Sequence, residues 1–342
     1  MLKTQQLGHS GLRVSRLCLG TMNFGEPGRG HQADWTLTAD EARPIFECAL
    51  DRGLFYFDCA NVYGIGACEK VVGRLLRELA PRDEYVLTTK VSGLMGKGAN
   101  QSGLSRKHIM ESIDASLTRL GLDYVDQLII HRHPHARADT AHAPIEETLE
   151  ALHDVVKAGK ALYIGGSSMF AWQFAELQMT AERHGWTQFV SMQNHYNLIY
   201  REEEREMNPY CVKTGIGLTP WSPLARGILT GAYQGSFNAG STRRSKGMDR
   251  KRTEGLYRGE MDFEIAARVV EVAKRTGHTP AQIAVAWLLS KPGVIAPVVG
   301  VSRVEQLDQL VAATEIELDD DDITFLEELY KPVVNLLSVG TS

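Results

Sequence analysis

Eight short apolar runs, spaced by stretches mostly long enough to hold a helix, recur along this chain of 342 residues. They lie at 17–19, 54–57, 85–88, 125–130, 161–164, 189–192, 216–219 and 294–299. Runs of this kind bordered by turn residues read as strands buried on both faces, the pattern of a parallel sheet. The intervening segments are amphipathic. With Ser105 as N-cap, Ile109, Ile113, Leu117 and Leu120 share one helical face, and Gly121 stands where a left-handed terminating residue is expected. Thr279-Pro280 reads as a second N-cap with proline in the first turn. Parallel strands joined by helices need cover on both faces, and eight such units is the number that closes the sheet on itself. The fold expected is therefore α/β, a (β/α)8 TIM barrel. An open doubly wound sheet is the rival, but the usual G-x-G-x-x-G after the first strand is missing. No linker or composition shift divides the chain, so a single domain over 1–342 is expected.

One stretch breaks the rhythm. Residues 235–262 hold Arg243, Arg244, Lys246, Arg250, Lys251, Arg252 and Arg258 among glycines and serines. A loop this long in a compact domain is either functional or disordered. Two readings stay open: a solvated basic loop, or a lid that closes over an anionic ligand.

Composition narrows the function classes. With 43% hydrophobic and 23% charged residues, the chain can bury a large core. The 37 basic and 42 acidic side chains leave a net charge of −5, which suggests neither a nucleic-acid nor a membrane surface. The first residues contain no apolar segment of the secretory kind, and no apolar run approaches the ~18 residues of a spanning helix. The five cysteines form no C-x-x-C pair and are odd in number, which fits buried thiols in a reduced cytoplasmic protein.

Barrels of this type carry their active sites at the C-terminal ends of the strands. The second run is followed by Phe57-Asp58-Cys59-Ala60-Asn61-Val62-Tyr63-Gly64, the third ends Thr88-Thr89-Lys90, and the fourth ends Ile129-Ile130-His131-Arg132. A carboxylate, a phenol, an amine and an imidazole thus meet on one face, a set suited to protonating a carbonyl oxygen. A free tyrosine, with a pKa of about 10, is a weak acid at neutral pH. A nearby Lys90 ammonium is expected to lower that value for Tyr63, and Asp58 to keep the ammonium charged and in place. His131 is expected to donate a hydrogen bond to the substrate oxygen. The catalytic set expected is Asp58, Tyr63, Lys90 and His131, with no metal.

The string from Phe57 to Gly64 resembles the D-T-A-x-x-Y-G signature of the aldo-keto reductase family, and the four residues fall on its catalytic tetrad. Further segments are similar along the whole chain. Gly20-Thr21-Met22-Asn23-Phe24-Gly25 matches the family's first strand-end loop beside the nicotinamide. Ile164-Gly165-Gly166-Ser167-Ser168 resembles its I-G-x-S-N segment, and Gln193-Asn194 its Q-N pair. Trp221-Ser222-Pro223-Leu224-Ala225-Arg226-Gly227 resembles the segment that stacks on the nicotinamide and wraps the pyrophosphate. Val299-Gly300-Val301-Ser302-Arg303 with Gln306-Leu307 resembles the adenosine-phosphate site. The resemblance implies NADPH, transfer of its pro-R hydride to an aldehyde or ketone, and cofactor contacts from Gly20, Thr21, Met22, Ser167, Ser168, Gln193, Trp221, Ser222, Pro223, Leu224, Arg226, Gly300, Ser302, Arg303 and Gln306. Arg303, at a helix start, sets a guanidinium beside free amides, a good place for a 2′-phosphate and hence for NADPH over NADH. The similarity is greatest to a bacterial group named 1-deoxy-D-xylulose-5-phosphate synthase-like or aryl-alcohol dehydrogenase-like. No thiamine-diphosphate motif accompanies it, so carbon–carbon bond formation is not expected.

Three positions depart from the family pattern. Cys59 replaces the usual Thr, Ser168 stands where Asn is common, and Leu310 occupies the place of an adenine-contacting Asn. His131, His133 and His135 would share a face if extended, but Pro134 interrupts them, which argues against a metal-dependent hydrolase. The partner expected is a small carbonyl substrate. The alternative is an NADPH-binding sensor or regulatory subunit with little turnover.

Overall fold

The computed structural model describes residues 2–332 except 31, 33, 136–141, 234, 240–246 and 258. All eight expected strands form. After a hairpin of β1 (Thr4–Gln6) and β2 (Arg13–Ser15), the barrel strands are β3 (Cys18–Gly20), β4 (Tyr56–Asp58), β5 (Val86–Val91), β6 (Val125–Ile130), β7 (Ala161–Ser167), β8 (Phe189–Gln193), β9 (Gly217–Leu218) and β10 (Val298–Val299). Neighbours in sequence are neighbours in the parallel sheet, and β10 pairs with β3. Parallel bridges from Leu218 to Val294 and from Trp221 to Val298 close the remaining seam. The Ile295 amide donates to Leu218 O and the Val298 amide to Pro220 O, both at 2.8 Å. The α/β (β/α)8 TIM barrel expected from the eight runs is the architecture observed.

The outer ring comprises α1 (Ala39–Asp51), α2 (Ala67–Leu79), α3 (Arg106–Leu120), α4 (Ile145–Lys157), α5 (Ala171–His184), α6 (Met207–Thr214), α7 (Gly247–Leu256), α8 (Glu260–Thr276), α9 (Pro280–Leu289), α10 (Val304–Ala312) and α11 (Asp320–Glu327). The anticipated caps are present. Ser105 accepts a hydrogen bond from the His108 amide, Gly121 ends α3 at φ 68°, and Thr279 accepts from the Gln282 amide with Pro280 opening α9. Ile109, Ile113, Leu117 and Leu120 are all buried. Removing each such side chain from water contributes about 1.5–3 kcal/mol, far more than helix propensity. Gly73 lets α2 approach α3 closely: a Cβ there would lie 2.1 Å from Leu120 O. Helix packing thus outweighs the roughly 1 kcal/mol that glycine costs inside a helix.

The hairpin has no counterpart in the strand–helix rhythm. Leu7 and Val14 pack with Cys18, Tyr56, Val86, Val190 and Ile295, closing the N-terminal end of the barrel. Gly8 (φ 59°) makes this possible, because a Cβ at that position would meet Val190 O at 2.5 Å.

The basic stretch is not one long loop. A 3-10 turn at Phe237–Ala239, helix α7 and the start of α8 occupy most of its described part. Arg250, Lys251 and Arg252 lie on α7, whereas Arg243, Arg244, Lys246 and Arg258 are outside the described residues. Helix α7 carries little apolar surface of its own. It is fixed from outside: Asp249 and Thr253, one helical turn apart, both bond Arg226, and Trp35 donates to Asp249. Periodicity therefore gave no sign of it. No helix among the described residues is long and apolar enough to cross a membrane.

Candidate active site

Parallel register places the chemistry. Asp58 pairs level with Thr88 across β4 and β5, and Lys90, two residues on, points to the same interior face. Lys90 Nζ donates to both Asp58 oxygens at 2.6 Å and to Cys59 O at 2.8 Å, and lies 3.4 Å from the Tyr63 hydroxyl. Thr88 Oγ1 (2.9 Å) and, from the far side of the barrel, Gln193 Nε2 (2.8 Å) also donate to Asp58 Oδ1. His131 follows β6, its ring 6.0 Å from that of Tyr63 and nearly perpendicular to it. The four expected residues are thus brought together. Cys59 turns its thiol toward Cys68, 3.5 Å away, so its side chain leaves Asp58 and Lys90 undisturbed.

The electrostatics differ in one respect from the expectation. Burial disfavours the Lys90 charge, but Asp58 and Tyr63 outweigh it and hold the ammonium above its usual range. Burial of its hydroxyl pushes Tyr63 up to about 12; Lys90 pulls it down, Asp58 adds to the rise, and burial wins. Tyr63 is therefore a protonated phenol at neutral pH, not one with a lowered pKa. Burial, with the charges of Arg132 and Lys90, keeps His131 well below the usual imidazole value, hence neutral.

Asp58, Tyr63 and His131 open into a cavity of about 900 Å³. Of the residues expected at a cofactor, Gly20, Met22, Ser167, Gln193, Trp221, Ser222, Pro223, Leu224, Arg226, Gly300, Ser302, Arg303 and Gln306 line it. Thr21 and Ser168 stand behind the wall. Thr21 is fully buried and donates to Asp58 O at 2.8 Å, and Ser168 accepts from the Trp221 indole at 3.0 Å. Each braces a wall residue instead of facing the cavity. Between Ser222 and Arg226 the backbone is strained: Ser222, Ala225 and Arg226 have φ of 55°, 46° and 56°. Non-glycine residues in this region cluster where function holds them. At the far end Arg303 is the N-cap of α10, exposed and without an ion pair among the described residues, while Ser302 N and Oγ both donate to Gln306 Oε1.

Sequence reasoning missed several lining groups. Trp35, Arg132 and Gln309 face the same cavity, as do Asn23 of the strand-end loop and Leu310, two positions read in the sequence but assigned no contact. Arg132 adjoins His131 in sequence and was within reach of the motif reading; Trp35 comes from an irregular loop with no signal. Asp249, which joins Trp35 to Arg226 at 3.1 and 2.7 Å, was hidden in the basic stretch. Among the described residues no group of three or more His, Cys, Asp or Glu side chains is arranged to hold a metal ion.

The aldo/keto reductase family model matches residues 16–331. A Schizosaccharomyces pombe protein whose name marks it provisionally as an aryl-alcohol dehydrogenase is 44% identical, covering 96% of this chain and 95% of its own. The versiconal hemiacetal acetate reductase of Aspergillus parasiticus is 40% identical over 96% of both chains. An aldo-keto reductase of Alternaria alternata, AMT2, is 41% identical over 96% of this chain and 91% of its own. These relatives are fungal, and they bear on the aryl-alcohol dehydrogenase side of the resemblance, not on the bacterial synthase-like grouping. The chain belongs to the aldo/keto reductase family and is an oxidoreductase of carbonyl compounds.

Proposed function

We propose that this protein reduces an aromatic aldehyde or ketone to its alcohol with NADPH, Tyr63 giving the proton. The observation that carries the reading is the Asp58–Lys90–Tyr63 contact at the floor of a cavity that runs on to Arg303. The lining fits a dinucleotide: an indole face at Trp221, strained backbone from Ser222 to Arg226, and at a helix start the Arg303 guanidinium, which has no ion pair among the described residues. Gly20, Met22, Ser167 and Gln193 would border the nicotinamide, Ser222 to Arg226 the pyrophosphate, and Gly300, Ser302, Arg303 and Gln306 the adenosine end.

NADPH, when bound, would supply the hydride for the carbonyl carbon. Tyr63 transfers its proton to the oxygen as negative charge develops there, and the Lys90 ammonium stabilises the phenolate left behind. Asp58 keeps Lys90 charged and stationary. Neutral His131 donates a hydrogen bond that orients the oxygen. The products are the alcohol and the oxidised nicotinamide, and Tyr63 regains its proton from solvent.

The aromatic substrate class rests on the relatives' names and on the apolar surfaces of Met22, Trp35, Trp221 and Leu224. A tetrad already assembled favours turnover over a sensor role. With a small carbonyl as partner, neither nucleic acid nor membrane is needed, and a cytoplasmic location suits the free thiols. Steady-state NADPH oxidation with a panel of aromatic and aliphatic aldehydes tests the reading. Turnover with aromatic aldehydes is expected, and its absence with every carbonyl would overturn it.

A further inference from the structure

Trp221 is one member of a three-ring stack whose other two rings never reach the cavity. The His195 imidazole lies flat between Trp221 and Tyr200, 4.2 Å from each centroid, with planes within 9° and 19°. His195 and Tyr200 are buried, and a parallel bridge sets the His195 backbone beside that of Trp221. His195 Nε2 is 2.7 Å from the hydroxyl of Tyr257, the residue that follows α7. Asn197 Nδ2 donates to the same hydroxyl at 3.2 Å and to Ser222 O at 2.9 Å. Burial, with the charges of Arg132 and Arg226, depresses His195 to about 3, so its ring is neutral and carries no proton to the reaction. What it can do is geometric. An aromatic pair at this spacing resists tilting and sliding, and Trp221 has this pair on its inner face and the Ser168 hydroxyl on its indole nitrogen.

We propose that His195 is a positioning residue for hydride transfer: its flat ring sets the tilt and depth of the Trp221 indole, and Tyr257 ties that setting to α7. This rests on the NADPH-dependent reduction proposed above, with Trp221 as the nicotinamide platform. The basic stretch then has a structural part in the site. Helix α7 holds the platform segment through Asp249 and Thr253 on Arg226, and Tyr257, just past its end, holds His195 behind Trp221.

Two substitutions separate ring from hydrogen bond. His195→Phe keeps a flat ring and loses the polar contact, while His195→Asn keeps polar atoms and loses the ring. In cofactor-free protein with nitrogen-labelled tryptophan, the Trp221 indole resonance, identified by its loss in Trp221→Phe, reports the platform directly. Single-turnover hydride transfer from NADPH to para-nitrobenzaldehyde reports the reaction. His195→Asn is expected to shift or broaden that resonance and slow transfer on the order of 10- to 100-fold, with His195→Phe restoring both most of the way. Tyr257→Phe, which removes only a hydroxyl, is expected to broaden the same resonance and weaken NADPH binding about threefold. Equal losses in His195→Phe and His195→Asn, or an unmoved resonance with unslowed transfer in His195→Asn, would overturn the proposal. If His195→Asn does not fold, an unbroadened resonance in Tyr257→Phe together with a slowed His195→Phe does the same. A wild-type protein inert toward every carbonyl refutes the reductase reading instead, and the cofactor-free resonance still decides whether His195 sets the indole.

Discussion

The two ends of this barrel are built on opposite terms. At the N-terminal end, a hairpin seals the barrel with Leu7 and Val14, both fully buried against apolar neighbours, and the one left-handed residue in its turn is a glycine. At the C-terminal end, Lys90 is a fully buried cation, and Ser168, Ser222, Ala225 and Arg226 all adopt left-handed backbone without being glycine. Each such residue costs on the order of 1–3 kcal/mol, and a desolvated ion pair returns little net stability. One end satisfies local preference and holds the fold. The other violates it around the proposed site, at the expense of stability gained elsewhere.

Substitutions at the two ends should therefore behave differently. Lys90→Met has the largest expected effect. It removes the charge proposed to stabilise the Tyr63 phenolate, and should lower kcat by roughly 10²–10⁴-fold. It also leaves Asp58 buried with Thr88 and Gln193 as its partners among the described residues, which should cost about 3–5 kcal/mol in denaturant unfolding. Loss of stability without loss of kcat would make Lys90 purely structural. Leu7→Ala, at the sealed end, should cost about 2–5 kcal/mol of stability with kcat unchanged. A fall in kcat there would break the division between the ends.

Arg303→Ala should raise the KM for NADPH about 10–100-fold while leaving that for NADH nearly unchanged, because a charged hydrogen bond to a 2′-phosphate is worth roughly 1.5–3 kcal/mol. An equal effect on both cofactors would remove the phosphate assignment. The smallest expected effect is an absence. With Tyr63 held at about 12, the phenol stays protonated through the neutral range and loses its proton only as pH approaches that value. The rate of reduction should thus show no fall from Tyr63 ionisation between about pH 6 and 9. An inflection in that range that vanishes in Tyr63→Phe would show that Lys90 outweighs burial after all.

Much of the sealed scaffold and of the tetrad was legible in the sequence, for physical reasons that did not extend to the rest. The eight strands announced themselves because strands covered on both faces must be apolar throughout. Asp58, Lys90 and His131 stood out as candidates because strand ends fix which face of a barrel can carry chemistry. The hairpin's Thr4–Gln6 and Arg13–Ser15 are too short and polar to signal pairing. Helix α7 is held by Arg226 and Trp35 from distant segments, so no local pattern betrayed it. The stack of His195 on Trp221 forms only when β8 and the segment after β9 lie side by side. The direction of the Tyr63 shift depends on how deeply its hydroxyl is buried, a quantity the order of residues does not contain.

The central claim is that Tyr63 donates the proton in a reduction that otherwise uses an intact cofactor site. Tyr63→Phe, examined by NADPH titration and by turnover with an aromatic aldehyde in one preparation, tests it most directly. The expected result is unchanged NADPH affinity with kcat lowered by at least about 10²-fold. Wild-type kcat in that variant would contradict the account.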